Sequence, residues 1–131
     1  MVEDFYEWNP TCHHGDARLM ELIKRFCEED APLGQAQLFY LWGHGHEFDV
    51  DDNWEVIEEF FAYVSKFRDK LWMATNIEIV HYVKAFQSLV YSADGRRVMN
   101  PSAQAVWLEW IDEVYEIAPG ETVTLKQGVK W

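Results

Sequence analysis

The stretch that decides the predicted fold reads Gln37-Leu38-Phe39-Tyr40-Leu41-Trp42-Gly43-His44-Gly45-His46-Glu47-Phe48-Asp49. Its first six residues are almost all apolar, which predicts a strand that is buried on both faces of a parallel sheet. The chain then changes to glycine, histidine and carboxylate residues and leads toward a helix. Open α/β sheets and α/β barrels place their chemistry in loops of this kind. The alternative interpretation is a surface loop that happens to carry two histidines.

Three segments have the apolar spacing of amphipathic helices. Apolar residues recur at i, i+3, i+4 and i+7 in residues 19–26, and a similar stripe occurs in residues 79–86. Between them, the stripe predicted for the second helix consists of Trp54, Ile57, Phe61 and Val64, with Phe60 at its flank. Thr75 and Glu78 have the spacing of a capping box, which predicts the start of the third helix.

Short apolar segments precede two of these helices, at residues 37–42 and 71–74. Repeated strand–loop–helix units favour parallel strands joined by helical crossovers, so residues 1–87 are predicted to be part of a (β/α) barrel. Residues 88–131 carry strand-like segments and the turn signal Asp94-Gly95, which predicts a small antiparallel β appendage packed on the same domain.

The composition indicates one folded domain and disfavours some partners. The chain has 131 residues, is 49% apolar and carries a formal net charge of −12. That charge disfavours nucleic acid, because phosphate binding needs a basic patch, and it disfavours anionic membranes for the same reason. No signal peptide or membrane span is visible. Cys12 and Cys27 lack a zinc-ligand spacing and are interpreted as free thiols, with one disulfide as the alternative, so a cytoplasmic location is expected.

Four of the five histidines lie in loops that follow predicted strands. His13 and His14 share one loop and His44 and His46 the next, whereas His81 lies within a helix. If the strands are parallel and adjacent, these loops gather at one end of the sheet. His44 lies between two glycines and is a candidate general acid, since histidine can hold a proton for a leaving group near neutral pH. The alternative is a loop histidine bonded to the backbone.

Carboxylates accompany these histidines and raise the question of a metal site. Asp16, Glu47 and Asp49 lie nearby in the sequence, but no spacing matches a zinc signature. Adjacent histidines rarely both reach one ion. The residues alone therefore predict no complete metal site, and the metal ligands are left unassigned.

Several blocks of sequence occur in an order that is found in one enzyme family. They are Glu7-Trp8-Asn9-Pro10-Thr11-Cys12-His13-His14-Gly15-Asp16, Leu38-Phe39-Tyr40-Leu41-Trp42-Gly43-His44, Glu47-Phe48, Asn53-Trp54-Glu55, Trp72-Met73-Ala74-Thr75-Asn76-Ile77-Glu78-Ile79, Asn100-Pro101-Ser102 and Pro119-Gly120-Glu121-Thr122. On these blocks the chain resembles the C-terminal part of the polysaccharide deacetylase domain. The resemblance implies a distorted (β/α) barrel that removes acetyl groups from amino sugars or related esters with metal-activated water, the metal usually being zinc.

The resemblance also implies residue roles. His44 is similar to the family's late-strand histidine, a general acid that protonates the leaving amine, and Trp42 lies where the family lines its acetyl pocket. Substrate contacts are implied for Trp8, His13, His14, Trp42, Glu47 and Asn76. The Asp-Asp-Gly and His-Thr-x-x-His motifs, which carry the family's zinc ligands and base, do not occur in this sequence.

Three hypotheses follow. The first is the C-terminal part of a deacetylase, inactive alone, which acts on an acetylated carbohydrate and whose zinc ligands lie outside this chain. The second is a non-catalytic remnant that binds carbohydrate or a partner chain. The third is a metal enzyme rebuilt from His13, His14, His44 and His46 across an oligomer. Because a barrel that ends part-way exposes a strand edge, self-association through that edge is expected.

Overall fold

Two compact units make up the chain, Met1–Met73 and Ala74–Trp131. The computed structural model describes residue 5, residues 7–29 and residues 36–126. Each unit has a hydrophobic core of its own. Of the helices in the described residues, none combines the length and the apolar character that crossing a membrane requires.

The first unit combines α-helices with a pair of very short strands. Its elements in chain order are β1 (Cys12–His13), α1 (Leu19–Glu28), β2 (Leu41–Trp42), α2 (Gly45–Asp51) and α3 (Glu55–Val64), which continues into a 3₁₀ turn at Ser65–Phe67. Strands β1 and β2 run parallel, with His13 opposite Trp42. Because parallel strands run in the same direction, the two histidine-bearing loops leave them at the same end.

Helices α1 and α3 form the core of the first unit together with the segment before β2. Of the stripe predicted for α1, Leu19 and Ile23 are buried in a cluster with Phe60 and Val64 of α3, and the other two residues are partly buried against it. Phe39 lies between the two helices, with its ring centroid 5.5 Å from that of Phe26 and 5.9 Å from that of Phe60. Phe60 is buried, whereas Phe61 is half exposed. The predicted stripe is therefore wrong at Phe61, because Phe60, which was placed at its flank, is the residue that is buried.

Cys12 and Cys27 are both free thiols, buried in the first unit. Burial raises the pKa of both thiols, so each stays protonated at neutral pH. The free-thiol interpretation is confirmed, and the disulfide alternative is not.

The prediction of a partial (β/α) barrel is wrong. In the described part of the chain the β1–β2 pair is the sole parallel pairing, and the other sheets are antiparallel. Residues 37–42 do not form a strand buried on both faces, since β2 covers only their end and both Leu38 and Trp42 are exposed. Residues 71–74 form no strand. An apolar run needs a neighbouring strand to become part of a sheet, and Phe39 packs on helices instead.

The second unit packs helix α4 (Asn76–Gln87) with antiparallel strands. These strands are β3 (Val90–Tyr91), β4 (Arg97–Met99), β5 (Val106–Trp110), β6 (Glu113–Ile117) and β7 (Thr122–Thr124). One sheet has the order β3–β4–β7, and the other pairs β5 with β6. The antiparallel pairing expected of the last third is present, as is the turn at Asp94-Gly95, where Gly95 has a φ of +66° that glycine adopts without strain.

Helix α4 begins at the predicted capping box. The backbone N–H and hydroxyl of Thr75 donate to Oε2 of Glu78 at 2.7 and 2.6 Å. The hydroxyl bond, followed by the backbone bond, lowers the pKa of Glu78. A carboxylate at this position satisfies a backbone donor that the helix itself leaves unpaired.

Asn100 shapes the loop between β4 and β5 from a fully buried position. Its amide nitrogen donates to the carbonyls of Gln104 and Ile117, both at 2.8 Å. Its side-chain oxygen accepts the backbone N–H of Ser102 at 3.0 Å and the hydroxyl of the same residue at 2.6 Å. The Asn100-Pro101-Ser102 block therefore has a structural role in this loop.

Candidate functional site

Glu47 joins the two histidine-bearing loops of the first unit. Its Oε2 atom lies 2.8 Å from Nε2 of His14 and 3.1 Å from Nε2 of His13. The same oxygen accepts the backbone N–H of His44 at 2.9 Å, and it lies 3.6 Å from Nδ1 of that residue. The structure thus brings together four residues that the sequence predicts for the site.

Helix α2 holds Glu47 in place because His44 is its N-cap residue. The helix begins at Gly45, so Glu47 occupies the third helical position, from which a carboxylate reaches back to the N-cap N–H. Its charge also lies at the positive end of the helix dipole. Glu47 is predicted from the sequence as a substrate contact, and its capping role is an additional finding of the structure. The signal was available, since His44 and Glu47 have the three-residue spacing of a capping box.

The carboxylate of Glu47 stays ionised down to strongly acidic pH. The backbone N–H of His44 makes the largest contribution and the side chain of His14 the next, and together they lower the pKa of Glu47 to about 2. Positive charge on His13 or His44 acts in the same direction. About a third of the Glu47 side chain remains exposed, so this charge is in contact with water.

Gly43 allows the backbone to pass directly over the ring of His14. Its φ is +154°, and a Cβ atom at this position would lie 1.9 Å from Cδ2 of His14. His14 is buried and packs on Phe48 of α2, with ring centroids 4.2 Å apart. A Cβ atom on Gly45 would meet nothing within 4 Å. Of the two glycines beside His44, Gly43 is the one that the geometry requires.

Three side chains, His13, Trp42 and His44, form a partly exposed surface that we call the rim. The ring of Trp42 packs edge-on against His13, with centroids 4.7 Å apart, and its centroid lies 6.0 Å from that of His44. Trp42 is 45% exposed, and the side chain of His44 is 61% exposed. The rim therefore places an apolar aromatic face beside imidazoles that can exchange protons. The ring of His46 lies next to it, 5.4 Å from that of His44.

Trp8 and Asn76, which the sequence also predicts for the site, have other surroundings. Trp8 is partly buried, with its ring 5.9 Å from Tyr40 and 6.4 Å from Phe5, and its Nε1 atom has no hydrogen-bond acceptor within the described part of the chain. Asn76 is the first residue of α4 in the second unit. Substrate contact by these two residues stays a prediction.

His13, His14 and Glu47 are also the residues that could hold a metal ion, since one ligand atom from each lies within 4.8 Å of the others. Their hydrogen bonds do not fit this use. Nδ1 of His13 accepts the backbone N–H of Gly15 at 3.1 Å, so a neutral His13 carries its proton on Nε2, the atom that faces Glu47. A metal ligand must be unprotonated at the ligating atom. Zinc bound at Nε2 would leave the proton of a neutral His13 on Nδ1, where it would face the N–H of Gly15 and that hydrogen bond would be lost. The three side chains are therefore better suited to hydrogen bonds with one another than to binding zinc.

Comparisons with known proteins give no independent identification, because no protein-family model, no curated protein and no solved structure matches the chain. The likeness to polysaccharide deacetylases stays a prediction from the sequence blocks.

Proposed function

We propose that this chain supplies the proton donor and part of the acetyl-binding wall for hydrolysis of the acetyl group of an acetylated amino sugar. The observation that supports this most directly is the position of His44. Its imidazole is 61% exposed, its ring lies 6.0 Å from that of Trp42, and its backbone N–H is bonded to Glu47. With the two rings side by side, the imidazole can contact the amide nitrogen of an acetamide while the indole contacts its methyl group.

The proton is needed when the C–N bond breaks. Water adds to the acetyl carbonyl carbon, the amine leaves, and acetate is the second product. The amine is a poor leaving group unless its nitrogen receives a proton, which general acid catalysis by histidine can provide. Because Nδ1 of His44 lies toward Glu47, at 3.6 Å, Nε2 is the nitrogen left for the substrate. His44 regains its proton from water after the products leave.

Trp42 provides the apolar surface for the acetyl methyl group and the sugar ring. Aromatic side chains bind apolar faces of this kind with a large contact area. His13 supports the indole from one side through their edge-on contact. The rim therefore combines a binding surface with a proton donor in adjacent positions.

Activation of the attacking water is a separate requirement. In the family that the sequence resembles, zinc supplies this chemistry. The cluster of His13, His14 and Glu47 does not fit zinc, so we assign no step to a metal held there. We propose that the chain binds the substrate and can donate the proton, and that it does not release acetate unaided.

The alternative proposal is binding of carbohydrate or of a partner chain without catalysis, which the exposed ring of Trp42 also favours. A homo-oligomer is part of both proposals, because β1 and β2 each have one side unpaired within the described residues. Light scattering of the purified chain measures this directly. A mass above that of one chain supports the oligomer, and a monomeric mass at high concentration removes it.

Substrate binding is tested by titrating the full chain with tri-N-acetylchitotriose while recording the NMR signals of the histidine rings. We expect the signals of His44 and His13 to shift, while those of His81 on α4 stay in place. Trp42→Ala should weaken the affinity about tenfold, whereas Trp107→Ala, which removes an equally exposed indole from the second unit, should not. If His44 does not shift at saturating sugar, or if both tryptophan variants weaken binding equally, the proposal is wrong.

Proton donation is tested with a nucleophile that needs no activation. Hydroxylamine converts an acetanilide to acetohydroxamate and aniline, and the departing aniline nitrogen must still gain a proton. We expect the chain to speed hydroxamate formation at least about tenfold relative to His44→Gln, with His81→Gln equal to the natural chain. If the natural chain and His44→Gln form hydroxamate at equal rates, His44 is not a proton donor, and binding without catalysis is the remaining proposal.

A further inference from the structure

We infer that Glu47 is a positioning residue that holds the proton donor His44 and the binding surface of Trp42 in one fixed arrangement. This inference rests on the proposed function of the rim. One carboxylate oxygen of Glu47 contacts both histidine-bearing loops.

The link to His44 runs through the backbone. Oε2 of Glu47 accepts the His44 N–H at 2.9 Å, which fixes the peptide from which the imidazole extends. The helix begins at the next residue, so this bond also fixes where α2 starts. Loss of the bond would allow the N-cap to fray and would give the exposed imidazole a wider range of directions.

The link to Trp42 runs through His13. Nε2 of His13 is bonded to Oε2 of Glu47 at 3.1 Å, and Nδ1 accepts the N–H of Gly15 at 3.1 Å. An imidazole held at both nitrogens cannot turn without breaking one of these bonds. Its ring is the one that meets the edge of Trp42 at 4.7 Å. Glu47 therefore restrains the indole although the two residues belong to separate elements.

His14 anchors Glu47 itself. Its Nε2 lies 2.8 Å from the same oxygen, and its ring is buried between Phe48 and the backbone of Gly43. A carboxylate with a buried partner is held more firmly than one whose partners are all in water. Three donors from two loops thus share one oxygen, and moving that oxygen would displace both functional parts of the rim.

The test compares Glu47→Gln with Glu78→Gln. Both glutamates occupy the third position of a helix and accept an N-cap N–H, but Glu78 lies in the second unit and caps α4. Glutamine keeps the length and one oxygen and loses the charge that attracts three donors. We expect Glu47→Gln to weaken tri-N-acetylchitotriose binding about tenfold and to abolish the His44-dependent hydroxamate reaction. Glu78→Gln should match the natural chain in both measurements.

His13→Gln separates the two links, because it releases Trp42 and leaves the bond to the His44 backbone in place. We expect about threefold weaker sugar binding, with a smaller loss of rate from the bound complex than in Glu47→Gln. This variant changes a partly exposed side chain, so it also serves if Glu47→Gln fails to fold. If His13→Gln binds the sugar as tightly as the natural chain does, Glu47 does not position Trp42 through His13.

A third measurement separates this inference from the proposed function. Nitrogen-15 NMR of the histidine rings should show His13 with its proton on Nε2, and Glu47→Gln should shift the signal of that nitrogen because its hydrogen-bond acceptor loses its charge. If the natural chain binds no sugar, the proposed function fails while the Nε2 signal still tests the role of Glu47. The inference is wrong if His13 carries its proton on Nδ1, if Glu47→Gln leaves this signal and sugar binding unchanged, or if Glu78→Gln causes the same loss.

Discussion

The backbone of Gly43 lies against the imidazole of His14, so close that a Cβ atom would come within 1.9 Å of Cδ2. Glu47 bonds Nε2 of the same ring at 2.8 Å. The loop after β2 therefore meets His14 twice, once through its backbone and once through a carboxylate. Because His14 is buried, this packing fixes the loop that carries His44 onto the rest of the first unit.

Alanine should destabilise the first unit at Gly43 but not at Gly45, the two glycines beside His44. Gly43→Ala places a methyl group into the His14 ring at an unfavourable φ, and we expect it to destabilise the first unit by about 1–3 kcal/mol. Gly45→Ala meets open space at the first position of α2, where alanine favours the helix, so stability should be equal or up to about 1 kcal/mol higher. Urea unfolding measures both. Equal effects would contradict the close contact with His14.

The stability of the first unit should fall as the pH drops from about 4.5 toward about 2. The pKa of Glu47 is about 2 in the folded chain and 4.5 without these bonds, so the unfolded chain takes up the proton first. The contribution of the Glu47 hydrogen bonds to the free energy of unfolding is complete above pH 4.5. It is lost as the pH falls toward the folded-state pKa of about 2. Glu47→Gln should reduce this loss, whereas Glu59→Gln, exposed on α3, should not. Parallel acid-unfolding curves for the natural chain and Glu47→Gln would contradict the assignment.

Zinc should not bind stoichiometrically to His13, His14 and Glu47, because the bond from Gly15 to His13 keeps the proton on the atom that would have to bind the ion. Calorimetric titration with zinc chloride at neutral pH should show no site tighter than about 10 µM. The natural chain and His14→Gln should give the same weak signal. A tight one-to-one site that disappears in His14→Gln would show that the cluster rearranges to hold metal.

Local signals in the sequence predicted several elements, because their causes lie within a few residues. The stripe of α1, the Thr75–Glu78 capping box and the Asp94-Gly95 turn are all present in the structure. The barrel was predicted from apolar runs, and it failed because strand pairing depends on distant residues. Residues 37–42 are apolar enough for a buried strand, yet only their end pairs with β1.

Part of the candidate site could also be predicted. The meeting of the His13 and His44 loops follows from two parallel strands, and one parallel pair was sufficient for it. The contact of Gly43 with His14 joins residues far apart in sequence, so no local pattern indicates it. The role of Glu47 toward His13 was missed for the same reason, although its capping spacing is local.

In helix α3 the spacing of apolar residues does not decide whether Phe60 or Phe61 is buried. Ile57 and Val64 fit a helical stripe with either Phe60 or Phe61, because spacings of three and four residues both return to one face. The structure buries Phe60 and leaves Phe61 half exposed. Phe60→Ala should therefore cost about 3–5 kcal/mol, and Phe61→Ala less than about 1 kcal/mol. If urea unfolding shows a larger loss of stability for Phe61→Ala than for Phe60→Ala, the stripe predicted from the sequence is correct and this assignment is wrong.

Asn100→Ala should destabilise the second unit without changing sugar binding at the rim. The substitution removes the amide donor from the carbonyl of Gln104 and from the buried carbonyl of Ile117, and an unpaired buried group costs about 1–3 kcal/mol. Ser102→Ala removes the contacts of its hydroxyl with Asn100 and Gln104 but leaves both carbonyls bonded to the Asn100 amide, so it should cost about 1 kcal/mol. Urea unfolding measures the ranking, with exposed Asn9→Ala as the control.

If Asn100→Ala is as stable as the natural chain, the buried amide is not what shapes this loop. If it weakens sugar binding while remaining folded, the Asn100-Pro101-Ser102 block has a functional role that its hydrogen bonds do not indicate.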